Sequence, residues 1–157
     1  MSLAPKIDEI STSLLNHELD VVCYTETWLS EMLPDNAINI SGYYFARKDR
    51  VNVSHGGVCT YIKDSIPFET IHHHDRSNCE VLWIKAGPTR LPRGFSSLII
   101  RTIYHPPSAD SRNMLDYLTD SLSIFESSIT NRGFILAGDF NHLDVRDFPD
   151  TFVSDKL

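Results

Sequence analysis

The order of apolar patterns predicts a layered α+β (α/β) domain. A helical stripe opens the chain, five strand-like runs follow, a second helical stripe comes late, and a last strand ends on polar residues. Elements in this order pack as helices laid over sheets. An apolar content of 41% in 157 residues supplies the core of one such domain. No repeat, low-complexity tract or composition break divides the sequence, so residues 1–157 read as one unit.

Leu3, Ile7, Ile10 and Leu14 recur at helical spacing, with Ser2 as the expected cap and Asp8 and Glu9 early in the helix. The run Val21-Val22-Cys23-Tyr24 is rich in strand formers and predicts a buried strand over residues 20–25. Further strands are expected at Tyr43–Arg47, Val58–Lys63, Val81–Lys85 and Leu98–Tyr104, separated by clusters of Gly, Pro, Ser and Asn. Residues 86–95, with their Gly, Pro and Arg content, read as a mobile loop. Helical period returns over 109–130, with Met114, Tyr117, Leu118, Leu122, Phe125 and Ile129 on one stripe. Asn131-Arg132-Gly133 stops that helix, and Phe134-Ile135-Leu136-Ala137-Gly138 begins a last buried strand. Trp28 and Trp83 are expected in the core.

Composition narrows the function classes. No apolar stretch approaches the ~20 residues that span a bilayer, and the first residues lack the basic-then-apolar plan of a signal peptide, so no membrane partner is expected and the setting reads as intracellular. Cys23, Cys59 and Cys79 are odd in number, far apart and each within an apolar run, which predicts buried free thiols and reducing surroundings. A net charge of -7 argues against a broad basic surface for nucleic acid. It leaves room for acidic residues around a divalent cation, which itself attracts phosphate.

Polar groups stand where three apolar strands end. Asp139 and Asn141 follow the last strand two residues apart, so extended backbone through Phe140 would point both side chains to one face; an ordinary Gly-Asp, Asn-His turn fits the same residues. Glu26 follows Val21–Thr25 in the same way, which would bring two acidic groups to one sheet edge; its alternative is a carboxylate at a helix N-terminus. Tyr104-His105-Pro106-Pro107 ends a third strand, where the prolines force the chain out of the sheet; a Tyr packed in the core is the alternative there. Mg²⁺ suits such a site, because it takes hard oxygen ligands and is held by one or two carboxylates plus substrate phosphate. His72-His73-His74 does not read as a ligand set, since adjacent residues of a strand face opposite sides.

In order, Asp20-Val21-Val22-Cys23-Tyr24-Thr25-Glu26-Thr27-Trp28-Leu29, His55-Gly56-Gly57-Val58 to Lys63, Glu80-Val81-Leu82-Trp83-Ile84, Tyr104-His105-Pro106-Pro107 and Gly138-Asp139-Phe140-Asn141 resemble the motifs of the endonuclease/exonuclease/phosphatase superfamily. The likeness is strongest to the endonuclease domain that precedes the reverse transcriptase of non-LTR (LINE-type) retrotransposons. It implies a DNase-I-like two-sheet β-sandwich flanked by helices. It also implies Mg²⁺, with Mn²⁺ as substitute, held by Glu26, a water oriented or deprotonated by Asp139, phosphate contacts from Asn141, and support from Tyr104. DNA is the implied substrate, the nucleus the implied site of action, and a reverse transcriptase domain downstream the implied neighbour in the parent protein.

Two departures from the pattern accompany the likeness. The family opens on a strand carrying an Asn and closes on a Ser-Asp-His segment, whereas this sequence starts at the first helix and carries Ser154-Asp155-Lys156 close after Asn141. The sequence therefore reads as a partial domain, incomplete at both ends and weak or inactive alone. His105 and His142 adjoin the site and are the secondary candidates for the missing histidine, although the resembling positions carry no acid–base role. A phosphatase or phosphodiesterase acting on a small phosphoester or phospholipid, and a non-catalytic remnant serving as a binding or structural piece, are the alternative functions.

Overall fold

The computed structural model describes residues 2–50, 55–72, 79–128 and 131–144. The chain enters helix α1 (Ile7–His17) through a short 3-10 turn, Ala4–Lys6. Pro5 in that turn pre-sets the backbone, and no side chain caps it, so Ser2 does not have the expected capping role. Strands β1 (Val21–Thr25), β2 (Tyr43–Lys48), β3 (Val58–Lys63), β4 (Phe68–Thr70), β5 (Glu80–Ala86) and β6 (Ser97–Tyr104) follow, then helix α2 (Ser111–Ser128) and strand β7 (Arg132–Asp139). The predicted strands match within a residue or two. β4 escaped the sequence reading because three residues are too few to show alternation.

These strands form two sheets, ordered β1-β3-β2 and β4-β5-β6-β7. Pairing is antiparallel except between β6 and β7, whose parallel register follows from the α2 crossover that joins them. Alternation along each strand splits the apolar residues into three layers. Tyr61, Cys59, Val22 and Tyr24 face α1 with Leu14 and Ile38. Val58 and Ile62 meet Leu82, Ile84, Ile100 and Tyr104 between the sheets. Val81, Trp83, Ile99 and Ile103 face Met114, Tyr117 and Leu118 of α2. The result is a four-layer α/β/β/α sandwich. Asp110 caps α2 by accepting a hydrogen bond from the Arg112 N–H at 2.8 Å. Of the predicted α2 stripe, the side chains of Phe125 and Ile129 lie outside the described residues, as do His73 and His74 of the histidine run; His72 is exposed.

Several expectations need correction. β1 and β7 are not buried strands: each pairs on one side only among the described residues, β1 is half-buried throughout, and Ile135 of β7 is 44% exposed. Both are edges, and an apolar run cannot by itself distinguish an edge from a centre. Trp83 is core, but Trp28 is exposed on a loop. Cys59 and Cys79 are buried as expected, while Cys23, on the edge strand, is only half-buried.

Arg101 is the least expected member of the core. It lies on β6 facing α2, is 0% exposed, and has no hydrogen-bond partner on any guanidinium nitrogen among the described residues. Its guanidinium stacks 3.7 Å from the centre of the Trp83 ring. Burial pushes its pKa down to about 9, which still leaves it protonated at neutral pH. A desolvated cation–π contact contributes about 2 kcal/mol, less than the several kcal/mol that an unpaired buried charge costs. Arg101→Met should therefore raise the denaturant midpoint, by about 1–4 kcal/mol in unfolding free energy. A lower midpoint would show that the contact with Trp83 outweighs the cost of burying the charge.

Candidate active site

One end of the sandwich gathers the polar strand ends. Across the four-stranded sheet Glu80 pairs with Tyr104, and Tyr104 with Asp139, so the three form a lateral row whose side chains share a face. Tyr104 belongs to the layer between the sheets, so this is the face turned toward the three-stranded sheet. β1 of that sheet ends at Thr25, and Glu26 follows it. Glu26 and Asp139 line one cleft of about 410 Å³, floored by Tyr24 and Thr25 and walled by Leu3, Lys6 and Ile10. Two carboxylates more than a hundred positions apart in sequence thus meet in one concavity.

Glu26 does not begin a helix. Its backbone is left-handed at φ 55, as is that of Trp28 at φ 54, and its Oε2 accepts hydrogen bonds from the Trp28 indole N–H at 2.5 Å and the Gly56 N–H at 3.1 Å. Trp28 is drawn out of the core by that bond and stands edge-on to His55, ring centres 4.4 Å apart. Beside it, Glu80 accepts the Gly57 N–H at 2.7 Å and pairs with Arg50 at 3.2 Å. Burial raises the Glu80 pKa, and the nearby Glu26 carboxylate adds to that rise against the lowering effects of Gly57 and Arg50.

Asp139 and Asn141 do not share an extended strand as expected, because β7 stops at Asp139 and Asn141 is left-handed at φ 46. The turn reading describes this backbone: the Asn141 N–H donates to Asp139 Oδ1 at 3.1 Å. Asn141 is held at the site differently, its Nδ2 donating to the His105 carbonyl at 2.8 Å while the His105 N–H donates to the Asp139 carbonyl at 2.9 Å. Gly138 permits this close approach, since with φ at 138 a Cβ there would collide with the Ile103 carbonyl.

Tyr104 is 6% exposed with its ring in the apolar layer, and it does not line the cleft. His105 is buried and packs as a strut, with Nε2 3.3 Å from Ser111 Oγ. His142 is exposed on the turn that follows Asn141. The structure thus joins Glu26 to Asp139 in the cleft, ties Asn141 to Asp139 through His105, and sets Tyr104 beside Asp139 in the sheet. Sequence reasoning gave no role to Glu80 or Trp28. A carboxylate opening the apolar strand Val81–Ala86, after a Gly-Gly pair that needs partners for its amides, was the available signal for Glu80.

Glu26 and Asp139 offer hard oxygen donors with open space between them, which fits a Mg²⁺ ion that keeps waters and takes substrate phosphate. No group of three or more His, Cys, Asp or Glu suited to a metal occurs among the described residues, so an all-protein cage of the zinc type has no counterpart there.

The model of the Endonuclease/Exonuclease/phosphatase family matches residues 2–154. The chain belongs to that family. The endonuclease domain of TRAS1, a telomere-specific non-LTR retrotransposon, has a similar fold, with TM-score 0.63 and 9% identity over 88% of this chain and 54% of that one. So does TDP2 from Caenorhabditis elegans, with TM-score 0.64 and 11% identity over 94% and 46%. A 3' phosphatase, NExo, from Neisseria, bound to a product DNA hairpin, follows with TM-score 0.56 and 15% identity over 89% and 54%. The chain spans about half the length of these family structures. No curated protein matches it by sequence. Among the described residues, no helix is long and apolar enough to cross a membrane.

A pH dependence follows from His105. Burial lowers its pKa, the neighbouring His142 lowers it further, and Asp110 opposes both. The unfolded chain, with an ordinary value of about 6.5, takes up a proton before the folded chain does, so stability falls as pH drops below about 6.5. His105→Gln should flatten this part of a stability-against-pH curve. Equal slopes for both proteins between pH 7 and 5 would show that His105 contributes nothing to it.

Proposed function

We propose that this chain carries the site of a divalent-metal-dependent phosphodiesterase, of the DNA endonuclease kind found in non-LTR retrotransposons. The observation that carries the reading is the meeting of Glu26 and Asp139 in one cleft. In this reading Glu26 holds the cation, which when bound compensates charge building on the phosphoryl oxygens. Asp139 orients a water for in-line attack on phosphorus and accepts its proton as the P–O bond to the leaving oxygen breaks. Asn141, its amide oriented by the His105 carbonyl, turns its remaining N–H toward a phosphate oxygen. Tyr104 acts from its packed position, holding the end of β6 beside Asp139. The retrotransposon setting, with a reverse transcriptase in the parent protein, rests on the motif likeness and on the fold shared with the TRAS1 domain.

The cleft differs from a broad DNA-binding face. With a net charge of -7, affinity for the polyanion has to come from the cation and a few donors at the scissile phosphate. Plasmid nicking with Mg²⁺ tests the assignment, using the chain as it stands and the chain joined to the opening strand and closing segment of a family relative. The joined protein is expected to nick DNA, with Asp139→Ala reducing the rate at least about 10²-fold and chelation abolishing it. The chain alone, which spans about half the length of the similar structures, is expected to show little above background, because members of one catalytic unit act non-additively. Nicking indifferent to Asp139→Ala would overturn the site. Turnover of a small phosphoester in preference to plasmid would place the chain with the family's phosphatases instead.

A further inference from the structure

We propose that Glu80 is a positioning residue that acts through the Gly56-Gly57 dipeptide to hold the Glu26 carboxylate opposite Asp139. The inference rests on the assignment of Glu26 as the cation-holding group. The two glycine amides are divided between two carboxylates: Gly56 donates to Glu26 at 3.1 Å and Gly57 donates to Glu80 at 2.7 Å. The two glycine carbonyls are also used, accepting the Trp28 N–H at 2.9 Å and the Thr27 N–H at 3.3 Å. All four main-chain groups of the dipeptide therefore hold either the segment that presents Glu26 or the anchor opposite it. Only glycines fit. Both have positive φ, 97 and 82, and a Cβ would stand 2.7 Å from Glu80 Oε2 at Gly56 and 2.7 Å from Thr27 Oγ1 at Gly57.

The segment needs such an anchor. Glu26 and Trp28 both occupy left-handed backbone, at a cost of roughly 1–3 kcal/mol each that persists only where neighbours over-determine it. Among the described residues β1 is an edge strand, and it ends one residue earlier, so its ladder does not reach Glu26. Glu80 comes from the other sheet, where it shares a row with Tyr104 and Asp139 and is itself held by Arg50. The link from Glu80 through Gly57 and Gly56 to Glu26 thus crosses between sheets. It refers the position of one site carboxylate to the strand row that carries the other.

Reach and charge can be separated at position 80. Glu80→Gln keeps an oxygen at the right distance for the Gly57 N–H and loses the charge; Glu80→Asp keeps the charge and loses the reach by one methylene. Mn²⁺ titration of the whole chain, followed by the emission of the exposed Trp28 over the background of buried Trp83, reads the Glu26 environment, because the Trp28 indole is bonded to that carboxylate. The amide proton shifts of Gly56 and Gly57 read the link in the metal-free protein. The expected result is saturable Mn²⁺ binding that Glu26→Gln abolishes, that Glu80→Gln leaves within about three-fold, and that Glu80→Asp weakens by about ten-fold or more, with the Gly57 amide shifted. The reverse order, Gln weak and Asp intact, would assign Glu80 a charge effect and overturn the positioning role. Unchanged affinity in both variants would overturn it as well. Failure of the underlying assignment looks different: wild type and Glu26→Gln would bind Mn²⁺ alike or not at all, and the inference would fall with it.

Discussion

The apolar layer between the two sheets governs the geometry of everything at the cleft. Val58 and Ile62 from one sheet and Leu82, Ile84, Ile100 and Tyr104 from the other interlock there, and the Thr60 and Thr102 hydroxyls satisfy each other at 2.5 Å across it. Stacked sheets pack about 10 Å apart, a spacing fixed by side-chain size. Glu26 follows the end of a strand in one sheet and Asp139 ends a strand in the other, so the thickness of this layer bears on their separation. A small change of volume at Ile100 or Val58 would be felt at the cleft without touching either carboxylate, because close-packed interiors transmit strain.

Much of this arrangement was legible before the structure. The helices, the longer strands and the three polar strand ends follow from periodicity and from apolar runs closed by Gly, Pro or charged residues. What escaped depends on neighbours remote in sequence. The run Val21–Thr25 reads as buried because strand formers dominate it, yet its burial depends on how many strands flank it. Trp28 reads as core because indole is large and apolar, yet its N–H finds a carboxylate two residues away and the ring stays outside. The parity of Asp139 and Asn141 assumed continued extension; the left-handed Asn141 breaks it, and the His105 carbonyl restores the proximity by another route. No periodicity reveals a side chain held by the backbone of a strand end thirty-six positions earlier.

Two cationic groups show opposite solutions to the same electrostatic problem. Arg50 spans Glu80 at the rim, where solvent screens the pair and its contribution to stability is small. Arg101 lies within the α2-facing layer and relies on the face of Trp83, whose own N–H is engaged by the Tyr117 hydroxyl at 2.6 Å. Placing it there keeps the Arg101 charge off the cleft face, where Lys6 stands among Glu9, Glu26 and Asp139, since residues 101 and 104 of β6 point to opposite sides of the sheet. The acidic cleft therefore keeps the sign of field that favours a divalent cation, and phosphate is attracted only once that cation is present.

The site also rests on the two least supported strands. Among the described residues β1 pairs with β3 alone and β7 with β6 alone, and an apolar groove of about 680 Å³ lies between them, lined by Val21, Cys23, Ile100, Ile135 and Ala137 and reaching Asp139. Unpaired edges are where sheets fray and where local opening is easiest. Catalysis by positioned groups tolerates displacements of well under an ångström or two before rates collapse. Fixing Glu26 by cross-links to a central strand rather than by its own edge is one answer to that conflict, and Glu80 on β5 is placed to supply it. Asp139 has a matching support from β6, through the His105 N–H on its carbonyl and the Gly138 contact that draws β7 against Ile103. Both carboxylates thus take their positions from central strands, β5 and β6, while the edge strands supply only the route by which the chain reaches them.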